Sequence, residues 1–226
     1  MRPACVCQGL GLAEAFREDL DRYVFEAQDE PGVAGRVVPL LIGLLARGLW
    51  ATTAYRVRHY ARHRHAALLG LASFFVHRLV LALTSIDIDA GAHIGPGLWM
   101  PHGGYAVIGP VRMGRNCEIF QGVTLGESES TLTTRPSGPA VPALGDRVWV
   151  GPGAVIAGAV TVGDDASVGA NSLVVHDVPP RGVVLGVPAR LVSRRGSFGV
   201  VTYRGMDSDA DRQAALSVAG EDGPNR

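Results

Sequence analysis

The sequence predicts a mainly β fold: a parallel β-helix of six-residue repeats, preceded by an α-helical segment. Three observations predict it. Thirty glycines stand against six phenylalanines, with most of the glycine after residue 90, so backbone dominates the architecture there. Aliphatic residues recur at every sixth position from Ile88 onward, a period that neither a helix nor an ordinary strand produces. Residues 12–84 instead place their apolar side chains three and four apart, the spacing of amphipathic helices.

The helical segment divides into four elements. Leu12 to Glu30 carries Leu12, Phe16, Leu20, Tyr23 and Val24 on one stripe with acids and bases between them. A second helix runs from Pro39 to about Leu49. A third, Thr53–Arg64, is strongly basic and is read as a solvated face; its cations and imidazoles are Arg56, Arg58, His59, Arg62, His63 and Arg64, followed by His65. Ala66–Thr84 is apolar enough to raise the question of a membrane span, but it carries His77 and Arg78 at its middle. A central Arg costs about 2.5–3.5 kcal/mol on insertion scales, which favours a core or interface helix. Peripheral membrane contact is the lesser alternative, since basic and apolar helices together make such contacts.

The repeat begins with Ile88, Ile94 and Met100. After one inserted residue it resumes at Val107, Met113, Ile119 and Leu125, and after a longer interruption it continues at Leu144, Val150, Ile156, Val162, Val168 and Val174. Four positions after the aliphatic there is usually a small or β-branched residue: Ala92, Val111, Cys117, Val123, Val148, Ala154, Val160, Ala166 and Ser172. Two residues per hexad therefore point inward, and the glycines that follow the aliphatics make the corners. Cys117 is read as core filling. The expected organisation is a flexible N-terminus (1–11), a helical domain (12–85), the β-helix (86–194) and a mostly disordered C-terminal tail (195–226).

Composition excludes several functions. Lys+Arg and Asp+Glu are both 21, so the chain lacks the basic footprint of a nucleic-acid binder. Three cysteines make no disulfide scaffold, and the lone Cys5-Val6-Cys7 makes no zinc site. The first residues contain no apolar run of signal-peptide length, so the expected location is cytoplasmic. A metal-dependent use of the coil, like that of a carbonic anhydrase, needs several His at ligand spacing. His93, His102 and His176 are scattered in sequence.

Four stretches carry a family resemblance: Ile86-Asp87-Ile88-Asp89-Ala90-Gly91-Ala92-His93-Ile94-Gly95, Met100-Pro101-His102-Gly103, Gln121-Gly122-Val123-Thr124-Leu125-Gly126, and Gly186-Val187-Pro188-Ala189-Arg190. Across roughly residues 12–193 the chain resembles the hexapeptide-repeat acyltransferases of the serine acetyltransferase-like branch. The resemblance implies a left-handed β-helix with three hexads per rung. It also implies trimers or dimers of trimers with active sites between coils, and acetyl-CoA as co-substrate with no metal.

Within that resemblance His102 is the expected general base. A hydroxyl is a poor nucleophile until its proton is being removed, and imidazole titrates in the right range. Asp87, fifteen residues earlier, matches the family's Asp-to-His separation and is expected to orient that imidazole, with Asp89 as its competitor. The Gly126 amide is the expected oxyanion donor. Gly151-Pro152-Gly153, Gly169-Ala170 and Arg190 map to cofactor positions, the arginine toward a CoA phosphate.

The departures concern the acceptor. Where the family has an acid before the catalytic His, this chain has Pro101, and Ala140-Val141 replace the Arg-His pair that holds the amino-acid carboxylate. Arg135 in the loop Glu127–Ser137 is the expected substitute. The chain ends at Arg226 rather than in the family's Ile tail, so no complex with the family's sulfhydrylase partner is expected. The function expected is transfer of acetyl from acetyl-CoA to L-serine or another small hydroxylated metabolite. Sugar, polysaccharide or natural-product O-acetylation, and a non-catalytic scaffold, are the alternatives.

Overall fold

The computed structural model describes residues 11–28, 37–128 and 141–221. Four helices open the chain: α1 (Leu12–Gln28), α2 (Val37–Leu45), α3 (Arg47–His63) and α4 (Ala67–Thr84). The basic helix thus begins six residues before the sequence suggested. Residues 1–10, with Cys5 and Cys7, lie outside the described residues.

A three-faced parallel coil follows. The first face stacks β1 (Ile86–Ile88), β3 (Ala106–Ile108), β6 (Thr124–Gly126), β9 (Val155–Ala157) and β12 (Leu173–Val174). The second stacks β2 (His93–Ile94), β4 (Arg112–Met113), β7 (Ala143–Leu144) and β10 (Thr161–Val162). The third stacks β5 (Glu118–Ile119), β8 (Trp149–Val150), β11 (Ser167–Val168), β13 (Val183–Gly186) and the antiparallel β14 (Ala189–Ser193). Leu144 pairs with Val162, Val150 with Val168 and Ile156 with Val174, one full turn apart in each case.

The inward residues are those the period selects. Every aliphatic in the series except Val107 is buried in one core, together with the small residues Ala92 to Ala166, and Ser172 is 1% exposed. Cys117 is a buried free thiol, and burial pushes its pKa up to about 12. At Val107 the register differs. Ile108 is the inward residue, pairing with Ile88 and Leu125, while Val107 is half-buried on the outer side.

The strand pairs give the reason. Trp99 aligns with Glu118 and Val107 with Thr124, so seven residues on one rung face five on the next. Two residues are inserted at the corner that holds His102. One is then lost at Gly109-Pro110-Val111-Arg112, where the Ile108-to-Met113 step aligns with the longer step from Ile88 to Ile94. The single inserted residue visible in the sequence is the net of these two.

Two further expectations change. Arg56 is not on a solvated face. It is buried, forks onto Asp19 at 2.9 and 3.1 Å, and donates to the carbonyls of Ile94 and Gly95. Asp19 also accepts from the amides of Gly97 and Leu98, so α1 and α3 are bolted to the second corner of the coil through buried charge. Residues 196–221 form ordered structure where the sequence suggested a mostly disordered tail. Ser197 donates to the carbonyl of Arg147, Val201 is buried, and α5 (Ala210–Glu221) docks with Arg212 donating to the carbonyls of Phe198 and Val201. Residues 222–226 lie outside the described residues.

Helix α4 does not fill a core. Its buried side chains are Ser73, His77 and Thr84, while Leu68, Leu71, Phe75, Leu79 and Leu83 are exposed. Among the described residues it is the one helix long and apolar enough to cross a membrane by length and composition.

Candidate active site

The inserted corner produces the site. On the second rung residues 119–123 bridge the third face to the first; on the first rung residues 100–106 do the same work, and the excess chain, with His102, is pushed outward. His102 is exposed there with φ 64°, in the left-handed region that non-glycine residues rarely occupy. Gly103 and Gly104 follow at φ 53° and 128°, and Gly103 has no room for a β-carbon because the Arg47 side chain lies against it. The His102 ring rests 5.9 Å from the ring of Phe120, which in turn contacts Trp149 at 5.2 Å.

A cavity of about 410 Å³ opens beside His102. Tyr23, Glu26 and Ala27 of α1 wall it on one side, Leu45, Ala46 and Arg47 on another, and Trp99 to Gly103 form its floor. Tyr23 is fixed by the Met100 amide, which donates to its hydroxyl at 3.0 Å, and burial pushes the phenol's pKa up. Arg47 is exposed and is a cation of this cavity that sequence spacing gave no reason to choose, because only the docking of α3 brings it over Gly103.

The expected cofactor residues fall along the same edge. Gln121 accepts from the Gly153 amide, Pro152 from the Asn171 amide, and Gly151 lies directly against Ala170. Gly169 is covered by Leu185, whose ladder partner is the exposed Arg190. From His102 to Arg190 the edge therefore runs Phe120, Gly151, Gly169, Leu185: five steps of about 4.8 Å, or about 24 Å. The amides of Gly151, Gly153 and Gly169 are spent on neighbouring rungs, donating to Val168, Gln121 and Val184. What this edge offers a ligand is close approach and carbonyl oxygens.

Two expected residues are not on that edge. Gly126 ends β6 on the far side of the first face, with open space where a β-carbon would stand. Asp87 is half-buried at the middle of β1, and its Oδ1 lies 3.2 Å from Nε2 of His77 on α4. Among the described residues no hydrogen bond joins Asp87 to His102. Asp89 turns back onto the amide of Gly91 at 2.6 Å. Arg135 lies outside the described residues.

A coil whose one strained imidazole overlooks a cavity at the end of a glycine-lined edge defines a transferase of the hexapeptide class. The profile of that class, bacterial transferase hexapeptide (six repeats), matches residues 142–176. Serine acetyltransferase of Helicobacter pylori strain J99 is 35% identical over 168 residues, covering 74% of this chain and 92% of the relative. That of Mycobacterium tuberculosis is 37% identical over 148 residues, covering 65% of this chain and 61% of the relative, so the match spans less than two thirds of that protein. A solved serine acetyltransferase in complex with CoA superposes with a TM-score of 0.65 at 27% identity, over 80% of this chain and 70% of that one. The chain belongs to the serine acetyltransferase family, and its fold is a left-handed parallel β-helix with an N-terminal helical segment.

Proposed function

We propose that this chain transfers acetyl from acetyl-CoA to the hydroxyl of L-serine, with His102 as general base. The observation that carries the reading is His102 itself, held in a costly backbone conformation at a corner where the coil is lengthened, facing a cavity. His102 takes the acceptor's hydroxyl proton as the oxygen attacks the thioester carbonyl carbon. The tetrahedral oxyanion is met by an amide donor, for which Gly126 is the candidate. As it collapses, the C–S bond breaks and the CoA sulfur takes the proton from His102. Asp87 is retained as the positioning carboxylate for His102, a contact that requires it to leave His77.

Arg47 supplies what the missing Arg-His pair would supply, a guanidinium for the acceptor carboxylate. Arg190 and the Gly151–Ala170 edge are assigned to the CoA arm. Gly126 and the His102 corner lie at opposite ends of the first face, with β6 between them. One site that uses both therefore needs two coils, which supports a homotrimer. The buried free thiol of Cys117 suits the cytoplasm, where thiols stay reduced.

The test is release of free CoA by the full chain from acetyl-CoA over a panel of L-serine, small alcohols and sugars. Turnover with L-serine is expected. Arg47→Ala should raise KM for serine about tenfold to hundredfold, the loss of one charge-assisted contact, with kcat little changed. Turnover confined to sugars would move the acceptor assignment, and no turnover with any acceptor would leave a scaffold.

A further inference from the structure

Apart from that cavity, three imidazoles meet where the helical segment touches the coil. His59 and His63 stand four apart on α3, on one face of the helix, and His93 lies on β2. Their rings are 4.2, 5.4 and 5.6 Å apart between centroids, and one nitrogen from each falls within 4.8 Å of the other two. From the geometry we infer that His59, His63 and His93 bind one divalent first-row transition-metal ion, with Zn²⁺ the natural occupant, and that the ion clamps α3 to the coil.

The arrangement has the parts such a site needs. Nδ1 of His59 lies 3.0 Å from the Ala90 carbonyl, so that nitrogen carries the proton and Nε2 is turned to the cluster. A backbone carbonyl in this role fixes both the tautomer and the ring plane of a metal-bound histidine. Zinc takes nitrogen at about 2.0–2.1 Å, which places tetrahedral ligand atoms about 3.3 Å apart. The cluster closes to that spacing mainly by rotation of His63, the exposed member of the three. Three neutral imidazoles leave the fourth position to water. Arg112, the ladder partner of His93, opposes the ion's charge, while Arg56 is engaged by Asp19. Imidazole donors suit zinc, copper and nickel and do not suit magnesium or calcium.

The site shares no residue with the cavity at His102, and no step of the acyl transfer calls on it.

The experiment uses the untagged full chain, stripped with a chelator and titrated with Co²⁺ as the optical probe and then with Zn²⁺. One Co²⁺ per chain should bind with the intense visible bands of a four-coordinate ion, and Zn²⁺ should displace it and raise Tm. His63→Ala, at an exposed position, should fold with the Tm of the stripped chain and lose at least about tenfold in affinity. His93→Ala should do the same, whereas His176→Ala, exposed and far along the coil, should bind normally. Failure to bind one ion per chain, a six-coordinate cobalt spectrum, or binding unchanged in both His63→Ala and His93→Ala would overturn the inference. Activity is not the readout, so a failed acetyl-transfer assay and a failed metal titration are separate results.

Discussion

The coil and the helices seated on it are held by opposite means. Inside the coil each rung repeats the same pattern of inward residues, and each aliphatic side chain packs on those one turn above and below. Where α1 and α3 meet the coil, the contact is buried charge used once: Asp19 accepts from Arg56, Gly97 and Leu98, and Arg56 reaches the carbonyls of Ile94 and Gly95. The coil spreads its stability over many like positions. The junction repeats nothing: its other buried ion pair, Arg22 with Glu118, uses different residues at a different place, so it is the brittle part.

Breaking that junction should cost most. Asp19→Ala leaves Arg56 as an uncompensated buried cation, a loss of about 3–5 kcal/mol by chemical denaturation. The expected signature is loss of helical signal at denaturant concentrations where the β signal persists; simultaneous loss of both would show that the coil depends on its helices. Ile156→Ala deletes a fully buried rung residue and should cost about 2–5 kcal/mol, with the helices and the coil unfolding together. Ser197→Ala removes the hydroxyl that ties the C-terminal segment to Arg147 and should cost about 1–3 kcal/mol, with faster amide exchange confined to residues 196–221.

The smallest effect sharpens the comparison. Glu118 is buried against Arg22, and burial outweighs the guanidinium, so its pKa rises to about 7 from the ordinary 4.5. A carboxyl with a raised folded-state pKa contributes stability that is full below about pH 4.5 and is lost as pH climbs through about 7. The wild-type Tm should therefore fall between pH 4.5 and pH 7.5 more than that of Glu118→Gln. Parallel profiles would show that Arg22 holds Glu118 ionised throughout.

What was legible in the sequence follows the same division. A period of six is written into consecutive residues, so the inward set from Ile88 to Val174 could be named without a structure. The exception, Val107, arises because an insertion at His102 and a deletion near Pro110 nearly cancel in the count. His102 stood out by its motif and by the broken register, and the Gly151–Ala170 edge by its one-turn spacing. Partners 31 to 50 residues apart in sequence have no spacing signature: Asp19 with Arg56, His59 with Ala90, and Ser197 with Arg147. Arg47 and the three-histidine cluster are visible only once α3 is docked. The pairing of Asp87 with His77 was hidden for the same reason, since it depends on how α4 lies along the first face.

The central claim is that the imidazole at the lengthened corner removes the acceptor's proton. The most direct measurement is steady-state CoA release from acetyl-CoA and L-serine by wild type and His102→Ala, with Tm measured alongside. His102 is exposed, so Tm should not move, while kcat should fall about 10²–10⁴-fold. Turnover in His102→Ala equal to that of wild type, in a protein of unchanged Tm, would contradict it.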